Sequence, residues 1–119
     1  RGNSTRVELR CPDPACNPYL SLAVCLAAGL DGIEKGLTPP DEITDNIFDM
    51  PKKEREARGI ESLPGSLFEA VAEFKKDDVV KEALGEHIVN QYLAGKEKEW
   101  EDYITSVSSW EVEKYIVAF

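Results

Sequence analysis

The sequence predicts a mostly α-helical chain with one short strand region, and three observations carry that prediction. Apolar residues recur at helical spacing from Pro18 to about Lys35, and again from about Glu86 to Val107. Helix-start signals precede the shorter apolar runs between them. Only residues 5–10 alternate charged with apolar side chains, as a half-exposed strand does. The 119 residues are within the usual size of a single domain.

The strand region carries the one group of residues that suggests catalysis. In an extended chain Arg6, Glu8 and Arg10 project from the same face, with about 7 Å between successive members. That spacing is too long to force all three charges into mutual salt bridges, so the three groups suit a shared ligand, such as a phosphate with a divalent metal. The alternative is a set of ordinary ion pairs on an exposed sheet face, and spacing alone favours it.

The first long helix follows a proline-rich turn. Pro12 and Pro14 end the strand, and Asp13 between them is predicted to be a turn or cap acceptor. Asn17 and Pro18 form a helix start, with Asn17 as the N-cap. Because the helix is apolar on almost every side, we expect it to be buried on most sides, which 119 residues cannot readily provide. We therefore expect additional polypeptide to cover it.

The rest of the chain reads as shorter or amphipathic helices with recognisable ends. Ser66 and Glu69 form a capping box, Asp77 is a second cap, and Gly85 breaks the chain before the second long helix. That long helix carries an apolar stripe which begins at Ile88. The predicted segments are 51–58, Leu67 to about Lys76, a brief helix ending at Leu84, about Glu86–Val107, and 110–117. The apolar residues 115–119 either dock on the chain itself or insert into a neighbouring subunit.

Composition narrows the function classes. Fourteen Lys and Arg against 23 Asp and Glu give a net charge of −9, so we expect no nucleic-acid surface. We also expect no membrane partner, because the longest apolar run is too short to cross a bilayer. The three cysteines, Cys11, Cys16 and Cys25, are an odd number and favour reduced thiols and a cytoplasmic protein. Their spacing disfavours a zinc site with His87.

Several motifs together resemble the C-terminal part of the catalytic domain of bacterial type I glutamine synthetase. The strongest are Ser-Thr-Arg-Val-Glu-Leu-Arg at 4–10, Pro-Asp-Pro-Ala-Cys-Asn-Pro-Tyr-Leu at 12–20 and Leu-Ala-Ala-Gly-Leu-Asp-Gly-Ile at 26–33. Weaker matches lie at 46–50, 63–67, 83–87 and 110–115. The likeness covers essentially all of residues 1–119, which it identifies as an incomplete domain: the helical C-terminal segment of an α+β catalytic domain.

The resemblance implies an ATP-dependent ligase that joins ammonia to L-glutamate through a γ-glutamyl phosphate, giving glutamine, ADP and phosphate. Its active sites lie between adjacent subunits of two stacked six-membered rings, so we expect a homo-oligomer, a dodecamer at full length. By position Glu8 is the metal ligand for Mg²⁺ (or Mn²⁺), and Arg6 binds nucleotide phosphate. Arg10 binds near the transferring phosphoryl group and the glutamate substrate, as a nucleotide-binding and catalytic residue. The resemblance therefore favours binding of a phosphate and a metal by these three residues over the ordinary ion pairs that spacing alone favours.

The same resemblance places the other metal ligands and the ammonium site upstream of residue 1. We therefore expect the segment alone to be inactive, and the strand at 5–10 to join a sheet whose other strands lie upstream. Two alternatives remain: a γ-glutamyl amine or polyamine ligase of the same family, and a non-catalytic helical oligomerisation module acting through residues 86–119. Phe48 occupies the position of the family's adenylylated tyrosine, so we expect that control to be missing.

Overall fold

The computed structural model describes residues 5–116, which form six α-helices joined by turns and irregular segments. The mostly helical fold class is confirmed, and the predicted helix bounds agree with the structure to within about two residues. The predicted end of the last helix at residue 117, and the apolar tail beyond it, lie outside the described residues. The helices are α1 Pro18–Glu34, α2 Lys52–Ala57, α3 Leu67–Lys76, α4 Asp78–Leu84, α5 Glu86–Thr105 and α6 Ser109–Tyr115.

The strand region differs from the expectation. Residues 5–10 are followed by a turn as predicted, but within the described part of the chain they belong to no sheet. A strand is stabilised by backbone hydrogen bonds to a neighbouring strand, and residues 5–116 contain no second strand to supply them. The alternating sequence therefore forms an extended segment outside any sheet, with exposed side chains.

The first helix begins and ends where its sequence signals predict. The Asn17 side chain accepts hydrogen bonds from the backbone N–H groups of Tyr19 and Leu20, at 3.0 and 3.4 Å. At the other end Gly36 adopts φ +62°, and Leu37 N–H donates to the Gly32 carbonyl at 2.9 Å. A left-handed residue closed by such a backbone bond is a common way to satisfy the last carbonyls of a helix.

Four of the helices pack together, and α6 does not join them. α4 lies against α1 and also contacts α3 and α5, while α3 and α5 pack on each other. Phe74 of α3 meets Tyr92 of α5 edge-on, with 5.9 Å between ring centroids, and a salt bridge joins Lys75 to Glu97. Within residues 5–116, α6 contacts no other helix. The packed region therefore consists of α1, α3, α4 and α5, and among the described residues neither α2 nor α6 packs on another helix.

The interior of this arrangement is small. Among the described residues only Met50 and Val89 are buried hydrophobic side chains, whereas the apolar stripe predicted on α5 begins at Ile88, which is 38% exposed. The chain exposes 10673 Å², against about 6,500 Å² for a compact protein of this mass. Its radius of gyration is 18.9 Å, against about 13.5 Å for a compact domain of this length. The expectation that α1 is buried on most sides is wrong within this structure, because only one of its sides has a neighbour.

Candidate functional site

Arg6, Glu8 and Arg10 project to one side of the extended segment and are already joined through the glutamate. We call them the Arg–Glu–Arg cluster. Arg6 Nε and Nη2 lie 2.7 and 2.5 Å from Glu8 Oε1, and Arg10 Nη2 lies 2.9 Å from Oε2. Each guanidinium therefore takes a different oxygen of the same carboxylate. The argument that the spacing is too long for mutual salt bridges is wrong, because the long arginine side chains lean along the strand to reach Glu8.

The cluster keeps Glu8 ionised and carries a net positive charge. Hydrogen bonds from Arg10 first, and then from Arg6, hold the pKa of the Glu8 carboxyl below its ordinary value. An ionised carboxylate is an acceptor only and offers two hard oxygen donors. Two guanidinium groups around one carboxylate leave one unbalanced positive charge, so the cluster is suited to attract an anion such as a phosphate.

A turn ties the cluster to α1. Asp13 Oδ1 accepts a hydrogen bond from Ala15 N–H at 2.7 Å, and the Asp13 carbonyl accepts one from Cys16 N–H at 3.0 Å. This confirms Asp13 as a turn acceptor. Asn17 then caps the helix directly after the turn, so a short run of hydrogen-bonded residues separates Arg10 from a rigid element. The local sequence thus positions the cluster at the N-terminal end of α1.

An apolar cleft of about 380 Å³ lies beside the cluster, where the extended segment meets α1, α3, α4 and α5. The sequence analysis did not predict this cleft. All three thiols are free. The three cysteines line the same cleft because the turn at 13–16 and the packing of α1 on α4 bring their segments to it. Its lining includes Leu9, Cys11, Cys16, Cys25, Phe74 and Tyr92.

The described residues supply one candidate metal ligand at the cluster and no more. Across residues 5–116 no three histidine, cysteine, aspartate or glutamate side chains lie close enough to hold a metal ion. Mg²⁺ takes six oxygen ligands in near-octahedral geometry, several of them commonly water. Glu8 fits such an ion as one hard ligand, and the described residues offer no second carboxylate at the cluster.

Phe48 lies in an ordered turn directly before the buried Met50. Asn46 Nδ2 donates to Asp49 Oδ2 at 2.5 Å, and Asn46 Oδ1 accepts from Phe48 N–H at 3.2 Å. These bonds hold the turn, while the Phe48 side chain is 94% exposed. The turn therefore presents this ring outward, and the ring carries no hydroxyl that a modifying enzyme would need.

The comparison with known proteins fits this geometry. Residues 1–115 match the family model described as glutamine synthetase, catalytic domain. The chain therefore belongs to the glutamine synthetase catalytic-domain family. It is 54% identical over 116 residues to the glutamine synthetase of Clostridium saccharobutylicum, and equally identical over 116 residues to that of Methanosarcina mazei. It is 50% identical over 119 residues to the glutamine synthetase of Thermus thermophilus.

These matches cover nearly all of this chain but only about a quarter of each relative. The first two cover 98% of this chain and 26% of the relative, and the third covers 100% of this chain and 27% of the relative. The chain thus spans about a quarter of the length of the relatives it matches. Among the helices of residues 5–116, none is long and apolar enough to cross a membrane.

Proposed function

We propose that this chain is the C-terminal part of the catalytic domain of a glutamate–ammonia ligase, which uses ATP to make glutamine. The Arg–Glu–Arg cluster carries the proposal, because it presents one carboxylate and two guanidinium groups in a chain that matches the family over residues 1–115. In the reaction the γ-carboxylate oxygen of glutamate attacks the γ-phosphorus of ATP and ADP leaves. Ammonia then attacks the γ-carbonyl carbon and phosphate leaves.

The two arginines act on phosphate in this proposal. Arg6 binds a nucleotide phosphate, and Arg10 contacts the phosphoryl group in transfer and the glutamate substrate. Guanidinium groups suit both tasks, since they stay charged and offer several donors to phosphate oxygens. Their exposure supports this, because the side chains of Arg6 and Arg10 are 64% and 87% exposed beside Glu8. Both donate to Glu8 in this structure, so ligand binding exchanges part of these ion pairs for phosphate contacts.

Glu8 is the proposed ligand of a Mg²⁺ or Mn²⁺ ion shared with the nucleotide. Such an ion supplies positive charge at the phosphate oxygens, where negative charge accumulates during transfer. The lowered pKa of Glu8 supports this role, because a metal-binding carboxylate has to be ionised. The same two arginines keep Glu8 in place until the metal and the nucleotide arrive, which limits the rearrangement that binding requires.

Two observations support the proposal that other polypeptide completes the site. The chain spans about a quarter of its relatives, and the cluster contains one carboxylate. We therefore propose that residues 1–119 alone are inactive. We also propose, from the family resemblance, that activity belongs to a full-length, cytoplasmic homo-oligomer. With Phe48 in place of a tyrosine, this enzyme is not controlled by adenylylation at that position.

The decisive experiment is a synthetase assay on the full-length protein. ATP-dependent γ-glutamyl transfer is measured with ammonia, hydroxylamine and a polyamine as acceptors, and Mg²⁺ is required. Preference for ammonia supports the proposal, and preference for a polyamine identifies a γ-glutamyl polyamine ligase instead. If a folded and oligomeric protein transfers the γ-glutamyl group to none of these acceptors, the chain is part of a non-catalytic module.

Glu8→Ala is the matching residue-level test. Loss of the metal ligand lowers kcat/KM by about 100-fold or more, since an essential metal-ligand contact is removed. Glu54→Ala is the matched control: its carboxylate also binds an arginine, Arg58, at 2.6 Å and is 45% exposed against 43% for Glu8. Glu54→Ala leaves turnover close to wild type. Equal activity in the two variants contradicts the role of Glu8.

A further inference from the structure

Cys11 and Cys16 lie on either side of the turn that follows the Arg–Glu–Arg cluster. The Asp13 carbonyl accepts a hydrogen bond from Cys16 N–H at 3.0 Å, and Asp13 Oδ1 accepts one from Ala15 N–H at 2.7 Å. A turn closed in this way holds the Cα atoms of its first and fourth residues within about 7 Å of each other. The chain therefore bends back between the two cysteines, and two local hydrogen bonds fix the bend.

The two cysteines also share one surface. Both line the apolar cleft of about 380 Å³ beside the cluster, both are exposed, and both thiols are free. A disulfide forms where two Cα atoms come within about 7 Å and the side chains point toward each other. A turn between the two cysteines and a cleft that both of them line favour that arrangement.

Cys25 lines the same cleft but is poorly placed to pair with Cys16. It lies in α1, eight positions after the N-cap Asn17, which at 1.5 Å per residue puts it about 12 Å along the helix. Cys16 directly precedes that N-cap, so the two are beyond disulfide range. Cys25 is also less exposed than the other two cysteines. It therefore serves as a matched control thiol.

We propose that Cys11 and Cys16 are a redox-sensitive pair, which closes to a disulfide when a peroxide oxidises it. One sulfur attacks a peroxide oxygen and becomes a sulfenic acid, and the first water leaves. The second sulfur attacks the sulfenic sulfur, the S–S bond forms, and the sulfenic oxygen leaves as a second water. Two electrons pass from the sulfurs to hydrogen peroxide, and the two thiol protons end in the water released.

The disulfide adjoins the proposed active site. Cys11 directly follows Arg10, whose Nη2 lies 2.9 Å from Glu8 Oε2. A bond at Cys11 constrains the backbone that carries Arg10, and a displacement of about 1 Å at a reacting centre can cost 100-fold in rate. Oxidation therefore lowers ligase activity, and a dithiol reductant restores it. This effect on activity rests on the proposed function, whereas formation of the disulfide does not.

Peptide mapping of the full-length protein tests the pair. The protein is treated with hydrogen peroxide, remaining thiols are blocked with iodoacetamide, and the peptide that contains residues 11–16 is analysed by mass spectrometry. We expect it to lose the mass of two hydrogen atoms and to carry no alkyl group at either cysteine, and dithiothreitol reverses both changes. Alkylation of both thiols, a sulfenic acid that persists, or a bond from either cysteine to Cys25 or to another thiol overturns the proposal.

Two serine variants separate the pair from other thiols. Peroxide lowers kcat/KM about 10-fold in the wild type and in Cys25→Ser, and dithiothreitol reverses the loss. Cys16→Ser shows no dithiothreitol-reversible loss, because Cys11 has no partner. Should Cys16→Ser fail to fold, Cys11→Ser replaces it. A disulfide that forms without any change in kcat/KM overturns the regulatory effect. If the reduced full-length protein has no ligase activity, the proposed function fails, and the peptide map still decides whether the pair forms.

Discussion

Glu8 is the residue on which the proposed site depends, because both arginines of the cluster bind its carboxylate. In this structure Glu8 binds the guanidinium groups of Arg6 and Arg10. In the proposed complex it serves a metal ion, and the two cations serve phosphate. The same three side chains therefore account for an ordered site before binding and for its chemistry afterwards.

The pH dependence of Glu8 follows from the direction of its pKa. Because the folded pKa lies below the ordinary value of 4.5, the ion pairs stabilise the cluster above that value and are lost as the pH falls through the lowered pKa. NMR titration of the Glu8 carboxyl carbon measures this midpoint. In Arg10→Gln the midpoint rises toward 4.5, and it rises less in Arg6→Gln because Arg10 makes the larger contribution. A midpoint that neither substitution moves contradicts the pairing.

The residue types and their order predicted this cluster. Their spacing alone did not distinguish a phosphate and metal site from ordinary exposed ion pairs. The alternation at 5–10 places Arg6, Glu8 and Arg10 on one side, as observed. Ordinary exposed ion pairs use the same residues, so only the longer family motif separated the two interpretations. The cleft beside the cluster was not predictable, because Cys11, Cys16 and Cys25 share it only through a turn and a helix contact.

At the scale of the elements, local signals determine where helices begin and end. Ser66 accepts a hydrogen bond from Glu69 N–H at 3.2 Å, and Asp77 accepts one from Val80 N–H at 3.0 Å. Both N-caps were predictable, because they involve residues three positions apart. The predicted capping box is only half formed, because the Glu69 carboxylate accepts from Gly65 N–H at 2.7 Å and not from the Ser66 backbone. The sequence of α1 did not predict which element packs against it. An apolar helix indicates that it is buried, but it does not identify the element that buries it. The same holds for residues 5–10: alternation predicts a strand but does not identify the strand with which it would form a sheet.

Gly85 is the element-scale position where a substitution has the clearest consequence. It joins α4 to α5 with φ +77° and ψ 154°, a region that only glycine enters readily. Gly85→Ala therefore destabilises the full-length protein by about 1–3 kcal/mol, measured by urea denaturation. Gly95→Ala in the middle of α5 is the control and does not destabilise. If the two substitutions have equal effects, the strained junction is not retained in the full-length protein.

At the scale of the whole molecule, the described residues lack the interior of an independent domain. Two buried hydrophobic side chains and an exposed surface of 10673 Å² leave little to oppose the loss of conformational entropy on folding. The strong local caps nevertheless favour helix formation. Secondary structure in this chain is encoded locally. We propose that its tertiary stability needs polypeptide outside residues 1–119, which span about a quarter of the relatives' length.

The 119-residue chain by itself is therefore expected to be helical without a cooperative fold. Far-UV circular dichroism shows helix, while differential scanning calorimetry shows no sharp transition, because few side chains pack in fixed positions. The chain binds a hydrophobic dye such as ANS through the exposed apolar side chains of α1, which include Leu22 and Leu26. The full-length protein melts cooperatively and binds little dye. A sharp calorimetric transition for residues 1–119 alone contradicts this description.

The most direct test of the account is the binding of Mn²⁺ to the full-length protein in the presence of a non-hydrolysable ATP analogue, followed by the electron paramagnetic resonance signal of free Mn²⁺. Glu8→Gln removes the charge of the ligand and keeps its size, and Glu54→Gln is the matched control. We predict that Glu8→Gln weakens nucleotide-dependent Mn²⁺ binding by about 10-fold or more, whereas Glu54→Gln binds as wild type does. Unchanged Mn²⁺ affinity and stoichiometry in Glu8→Gln would show that the Arg–Glu–Arg cluster is not part of the metal–nucleotide site.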